Sequence, residues 1–244
     1  MRKFLIVAIA AITVVAFATV ALAQTTGATM TVSLKPKKAG TKRKPKDTAL
    51  TLEIVNSDFS QTASRIEVWL PKSLKFATQG KKKCSIATLG SGGPSACPKG
   101  SKIGGGTADA RAGVNTNPTN PLKLPFKVTA FLTGKKSIAF YIKQVNGDIA
   151  GVAPAKIRKA SGKYGSKLDI SIPEQPAQQY PPGNYNGLER LKTTLGSVKK
   201  GKSVLKSIGC KNKKAPFKAR IHFVPNPNPP KAATVDTTAT AQCS

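Results

Sequence analysis

The sequence predicts an all-β chain: an antiparallel β-sandwich of about ten or eleven strands, immunoglobulin-like or elaborated, with a closed barrel as the alternative. Three observations predict it. Short runs alternate apolar and polar residues, so each run offers one face to a core and the other to water. Clusters rich in Gly, Pro, Asn and Lys separate the runs at short intervals. No segment beyond the N-terminal apolar run reads as a long helix.

The N-terminus sets the compartment. Arg2 and Lys3 precede an apolar run over residues 4–20 that only Thr13 and Thr19 interrupt, and Ala21-Leu22-Ala23 gives the small-x-small pattern of a cleavage site before Gln24. Residues 1–23 therefore read as a signal peptide, and the chain is expected to be secreted or associated with the cell envelope. The run is short for a membrane span and no basic stop-transfer cluster follows it directly, so no transmembrane span is expected after cleavage. Residues 24–244 are then one β domain, with a seam expected at 174–187.

The chain has 40 Lys and Arg against 10 Asp and Glu, a formal charge of +30; loss of residues 1–23 removes two basic residues and no acid, leaving +28. All four Cys follow the cleavage site, and an even count in an exported chain favours disulfides. Of the three possible connectivities, Cys84–Cys97 with Cys210–Cys243 is favoured, because each pair brackets an excursion rich in Gly, Pro and Lys. The wide Cys spacing and the single His are unlike a zinc site.

The first strands follow in order. Met30, Val32 and Leu34 alternate with Thr and Ser; Leu50, Leu52 and Ile54 alternate with Thr51 and Glu53; Ile66, Val68 and Leu70 alternate with Arg65, Glu67 and Trp69. Trp69 falls on the polar side, where a covering loop is expected, with exposure as a contact residue the alternative. Between the first two strands, residues 35–46 hold seven basic residues in twelve positions with Pro36, Pro45 and Gly40, which makes a solvated hairpin loop or arm. After Leu70 a turn at Pro71-Lys72-Ser73 returns Leu74 and Phe76 to the core. Ser85 can cap one helical turn that Gly90 ends, the one helix expected after residue 23.

The segment around Cys84 and Cys97 reads as a stapled loop closing over one end of the sandwich. Its residues, Cys84-Ser85-Ile86-Ala87-Thr88-Leu89 and Gly93-Pro94-Ser95-Ala96-Cys97-Pro98-Lys99-Gly100-Ser101-Lys102-Ile103-Gly104, resemble a motif of secreted bacterial proteins of no assigned activity. The layout is similar too: a signal peptide, a basic hairpin loop, the turn from Leu70 to Phe76 and a last strand ending in Cys243. Gly105 stands where those proteins usually carry Ser. The resemblance implies a β-sandwich-like fold and transfers no functional residue.

Downstream, residues 127–132 and 137–142 form a hairpin about Thr133-Gly134-Lys135-Lys136, and 149–157 with 168–172 form another about Ser161-Gly162-Lys163. Pro173 stops that strand, and a stretch rich in Pro, Gln and Tyr follows, with Tyr180 and Tyr185 at its tip. Residues 188–195 and 203–208 are expected to pair about Lys199-Lys200-Gly201-Lys202. Phe217, Ala219, Ile221 and Phe223 alternate with Lys218, Arg220 and His222. A Pro-Asn loop at 225–230 leads to a last strand over 235–243.

Catalytic and cofactor chemistry finds little support. His222 shares the polar face with Lys218 and Arg220. Two S-x-x-K matches read as chance: Ser197 with Lys200 straddles a hairpin turn, and Ser203 with Lys206, three apart on a strand, face opposite sides. Gly104-Gly105-Gly106 precedes strand, not helix, and so suits close backbone approach rather than phosphate binding. The ten carboxylates are scattered, and Asn146-Gly147-Asp148 reads as a turn. No catalytic residue, metal site or cofactor is expected. What remains is charge, which draws polyanions. The expected contacts are Lys37, Lys38, Lys42, Arg43, Lys44 and Lys46, then Lys81, Lys82 and Lys83, then Lys199, Lys200 and Lys202, then Lys211, Lys213 and Lys214. Anionic cell-envelope polymers are the expected partner and a non-enzymatic binding or structural role the expected function. An extracellular carbohydrate-active enzyme and a nucleic-acid-binding protein are the alternatives. With 33 Lys to seven Arg and one Trp, forked phosphate contacts and base stacking are poorly served.

Overall fold

The computed structural model describes residues 27–117, 119–173, 184–199, 201–224 and 234–244. The signal peptide, most of the expected seam with Tyr180, the Pro-Asn loop and Lys200 lie outside the described residues. The strands are β1 (Ala28–Lys35), β2 (Lys46–Asp47), β3 (Ala49–Asn56), β4 (Ala63–Pro71), β5 (Leu74–Phe76), β6 (Lys102–Ala112) and β7 (Leu122–Gly134). They continue with β8 (Ser137–Gln144), β9 (Ala150–Lys159), β10 (Tyr164–Ser171), β11 (Asn186–Gly196), β12 (Leu205–Ser207), β13 (Lys214–Phe223) and β14 (Thr234–Gln242).

Eleven strands form one sheet in the order β1-β3-β11-β6-β7-β8-β9-β10-β4-β13-β14. Each hydrogen-bonded pair is antiparallel. Because eleven is odd, the first and last strands run the same way, and they meet. A Cβ on Gly27, just before β1, would lie 2.8 Å from Val235 of β14. Past their other ends the Ser244 N–H donates to the Lys37 carbonyl at 2.9 Å, and the Ala39 N–H donates to the Ser244 carbonyl. The sheet is nearly closed and barrel-like, where the sequence favoured two stacked sheets. Alternation is the same for both architectures; what separates them is that β1 and β14 come together instead of standing as free edges.

The inward faces are the predicted ones. Leu50, Leu52 and Ile54, then Ile66, Val68 and Leu70, then Phe217, Ala219 and Ile221 are all buried in one core. On β6 the inward positions are small. A Cβ on Gly104 or Gly106 would sit 2.1 or 1.9 Å from the carbonyl oxygens of Thr194 and Lys192 on β11, so glycine is what lets these two strands approach.

A second sheet, β2-β12-β5, lies across one end of the barrel. Thr48 N–H donates to Leu205 O at 3.1 Å, Ala77 N–H to Val204 O at 2.8 Å and Ile208 N–H to Ser73 O at 2.8 Å. Leu74, Val204 and Leu205 thereby join the main core from above. This is the capped end; the other is the far end. The cap corrects one expected pairing. Residues 203–208 do not pair with 188–195, because β3 and β11 bond along one edge and β6 takes the other. The chain after β11 therefore turns over the barrel mouth.

The stapled segment also differs from expectation. The helix α1 (Ile86–Gly92) starts at Ser85, whose Oγ accepts from the Thr88 N–H at 2.9 Å. It runs past Gly90 and ends at Gly93, which has φ +65° and donates to Leu89 O at 3.1 Å. A 3-10 turn over Pro94–Ala96 and another over Lys211–Lys213 are additional to the one expected helix. Leu89, fully buried, packs with Cys84, Phe131 and Ala139 in a small separate cluster. Phe131 and Ala139 point outward from β7 and β8, since their neighbours Ala130, Leu132, Ile138 and Phe140 fill the core. The staple thus clamps α1 to the outer wall rather than closing an end.

Both disulfides, Cys84–Cys97 and Cys210–Cys243, have the expected pairing. The second ties the chain just after the cap to the C-terminus of β14, beside the seam. Loop-closure entropy assigns about 4 kcal/mol to a loop of its length and about 3 kcal/mol to the first. In urea unfolding, Cys210→Ser/Cys243→Ser is expected to lose the larger amount and Cys84→Ser/Cys97→Ser the smaller. Losses under about 1 kcal/mol for both would remove the staples from the account.

Candidate functional site

Antiparallel strands send alternate connections to opposite ends, and this sorts the charge. The capped end receives the connections at 36–48, 72–101, 135–136, 160–163 and 197–213, together with the C-terminus. These hold the basic clusters. Lys37, Lys38, Lys42, Arg43 and Lys44 are exposed on the first; Lys82 and Lys83 on the second; Lys199 and Lys202 on the last; and Lys213 and Lys214 beside it. Lys46 and Lys81 are half-buried, the latter with its ammonium on the Gly201 carbonyl. Lys211 opens the 3-10 turn at the same end, and Lys200 is not among the described residues.

The clusters, which lie on separate loops of the chain, therefore converge on one end. Lys72, Lys75, Lys99, Lys135, Lys136 and Lys163, which sequence reading passed over, join them on connections to the same end. The far-end connections at 57–62, 113–121 and 145–149 contain no Lys or Arg and two acids, Asp58 and Asp148.

One acid lies within the capped-end connections. Asp47 on β2 is buried and accepts from Lys206 Nζ at 2.7 Å, Gly201 N–H at 2.7 Å and Ser203 N–H at 3.2 Å. Burial would raise its pKa, but Lys206 and the two backbone donors outweigh it and hold the carboxyl below its ordinary value. Its work is to fix the loop that carries Lys199 and Lys202. Ser203 completes the joint: its Oγ donates to Thr48 O at 2.8 Å and accepts from the Ser197 and Leu205 N–H groups, both at 3.0 Å. Lys206 turns instead to Asp47, so Ser203 and Lys206 serve the fold separately.

Most other acids are spent on the barrel wall. Across β10 and β4, Asp169 stands directly opposite Glu67, and both are buried. Arg65 bridges them, with Nε 2.6 Å from Asp169 and Nη2 2.9 Å from both carboxylates. Arg158 adds a contact to Asp169 at 2.9 Å, Lys167 binds Glu67, and His222 Nε2 sits 2.8 Å from Glu67 Oε2. Further round, Asp236 pairs with Arg220 and Lys218, Glu53 with Arg190 and Lys192, and Glu189 with Arg111.

Trp69 lies within this wall, flanked by its cross-strand partners Lys167 and Lys218, whose ammonium groups are 5.2 and 5.3 Å from the ring centre. Two lysine stems cover it, where a loop was expected. Tyr185 is at the far end, its carbonyl accepting from Gly113 and Val114, and so stands apart from the lysines.

The pKa pattern follows the pairing. Arg65 above all holds Asp169 below the ordinary carboxylate value. Burial works against ionisation of Glu67, yet Lys167 and His222 outweigh it and its pKa is also lowered. Carboxyls stabilised as anions are poor proton donors near neutrality. Among the described residues no group of three His, Cys, Asp or Glu gathers that could hold a metal ion. No protein-family model matches this chain, and no curated protein matches it.

A group with a lowered folded pKa adds stability that is present above its unfolded pKa and is lost as pH falls through the folded one. Glu67→Gln is therefore expected to lower the unfolding free energy at pH 7 by about 2 kcal/mol. The gap should narrow on titration toward pH 2, as the wild-type carboxyl takes up its proton. Urea unfolding at the two pH values checks this; a gap of equal size at both would contradict the ion-pair role.

Proposed function

We propose that this chain is an exported, non-enzymatic protein that binds anionic polymers of the cell envelope through its capped end. One observation carries the reading: the basic connections gather at that end with Asp47 as their one acid, while most of the strand acids are matched to cations on the wall. The end thus gathers many cations around a single acid, and such a surface binds polyanions by releasing their counterions. Lys, a hydrated point charge on a flexible stem, suits a repeating phosphate or carboxylate polymer with no fixed geometry.

Export is supported by the n-region, apolar run and Ala21-Leu22-Ala23 pattern and by the two disulfides. No helix among the described residues is long and apolar enough to cross a membrane. A carbohydrate-active enzyme is a weaker reading, because Glu67 and Asp169 are adjacent on one wall and already saturated by cations rather than facing each other across a cleft. Nucleic-acid binding is weaker too, since Tyr185 stands at the opposite end from the lysines.

Retention on an immobilised poly(glycerol phosphate) tests the proposal. Binding should weaken steeply with salt, and Lys38→Glu/Lys42→Glu/Lys44→Glu should lower the slope of log K against log salt by about 2, near 0.7 per lost contact. A control with the same net charge, Lys123→Glu/Lys127→Glu/Lys143→Glu, alters the wall and far end and should change the slope little. Equal losses in the two variants would mean diffuse attraction and would overturn a polar site.

A further inference from the structure

The barrel interior is not filled. A cavity of about 100 Å³ runs inside the sheet, and its wall is apolar except for Asn186 and Thr193. Its origin is legible in the residues. Eight strands make a barrel whose interior side chains just fill, and eleven make a wider one. The wall here carries Ala63, Ala108, Ala110 and Ala153 at inward positions where a larger barrel would need bulk. An apolar void left empty destabilises a fold in proportion to its volume and stays dry. A cavity of about 150 Å³ accepts benzene, so this one has room for about four carbons.

We infer that the barrel interior is a binding site for a slender, uncharged aliphatic ligand, about four carbons of which fill the chamber. The site lies inside the barrel and owes nothing to the charge of the lysines. A carboxylate would meet a lining that offers it no cation.

Titration of the full mature chain with 1-propanol through 1-octanol, followed by the methyl resonances of the lining Leu, Ile and Val residues, is the test. Affinity should rise about fourfold per methylene to a length near four carbons and then level. Butyrate should bind at least about fivefold more weakly than 1-butanol, because the apolar lining leaves its charge unpaired. Ala110→Leu should abolish the saturable shifts. Ala153→Val, a smaller change that keeps the falsifying test if the first variant does not fold, should weaken 1-butanol at least about threefold, the value of less than one methylene pair. Absence of saturable shifts in the wild type, or unchanged affinity in Ala153→Val with a native melting curve, overturns the site. Equal affinity for butyrate overturns the assignment to an uncharged ligand.

Discussion

The closure of one antiparallel sheet on itself is the constraint from which the rest follows. Backbone hydrogen bonds join ten neighbouring pairs of strands, and the odd number of strands, eleven, forces the last contact, between β1 and β14, to be parallel. That seam is held differently from the rest: by side-chain packing at Gly27 and Val235, by hydrogen bonds of Ser244 with the first hairpin loop, and by Cys210–Cys243 alongside. A disulfide and a chain terminus do there what ladder bonds do elsewhere. The Lys-rich loop at 36–45, read from composition as a solvated arm, is drawn into the joint because its backbone offers the partners that Ser244 needs.

Closure also governs where charge ends up. Strand residues alternate in and out, so a carboxylate on a strand either enters the core or stands on the wall beside the cross-strand neighbour that can neutralise it. Glu53, Glu67, Asp169, Glu189 and Asp236 take the second course, and each has Arg, Lys or His within reach. Loop residues have no such neighbour. When these basic turns fall on connections of one parity they sum to a field instead of cancelling, while the far-end connections at 57–62, 113–121 and 145–149 carry neither Lys nor Arg. The same architecture leaves an apolar chamber, because the small residues that let β6 lie against β11 do not fill a barrel of this width.

Much of this was legible in the chain and some was not, for identifiable reasons. Period-two alternation marked the strands and their inward residues, since burial on one face is a local property of sequence. The Cys pairs could be matched because each brackets one excursion. The hairpins about Gly134 and Gly162 followed from their turns. Strand order was out of reach: nothing local tells 188–195 to insert between β3 and β6 rather than pair with 203–208. Everything that depends on order was therefore hidden too. Sandwich and barrel share one alternation pattern. Lysines on separate loops look scattered until the loops are assigned to ends. Asp169 and Glu67, about a hundred residues apart, look like isolated acids until Arg65 is seen between them. Trp69 was placed on the polar face correctly, but the lysines that cover it come from two other strands.

The seam is where the account is most directly exposed to measurement. Nitroxide labels on Thr31 of β1 and Thr240 of β14, both on the outer surface, report the distance between the two terminal strands by dipolar electron paramagnetic resonance. Closure places these strands side by side, so the labels should couple at well under half the span of an open sheet. Eleven strands laid flat would separate them by about 48 Å. A distribution centred near that value would mean that the sheet is open, and with it the cap, the cationic end and the interior chamber would lose their common basis.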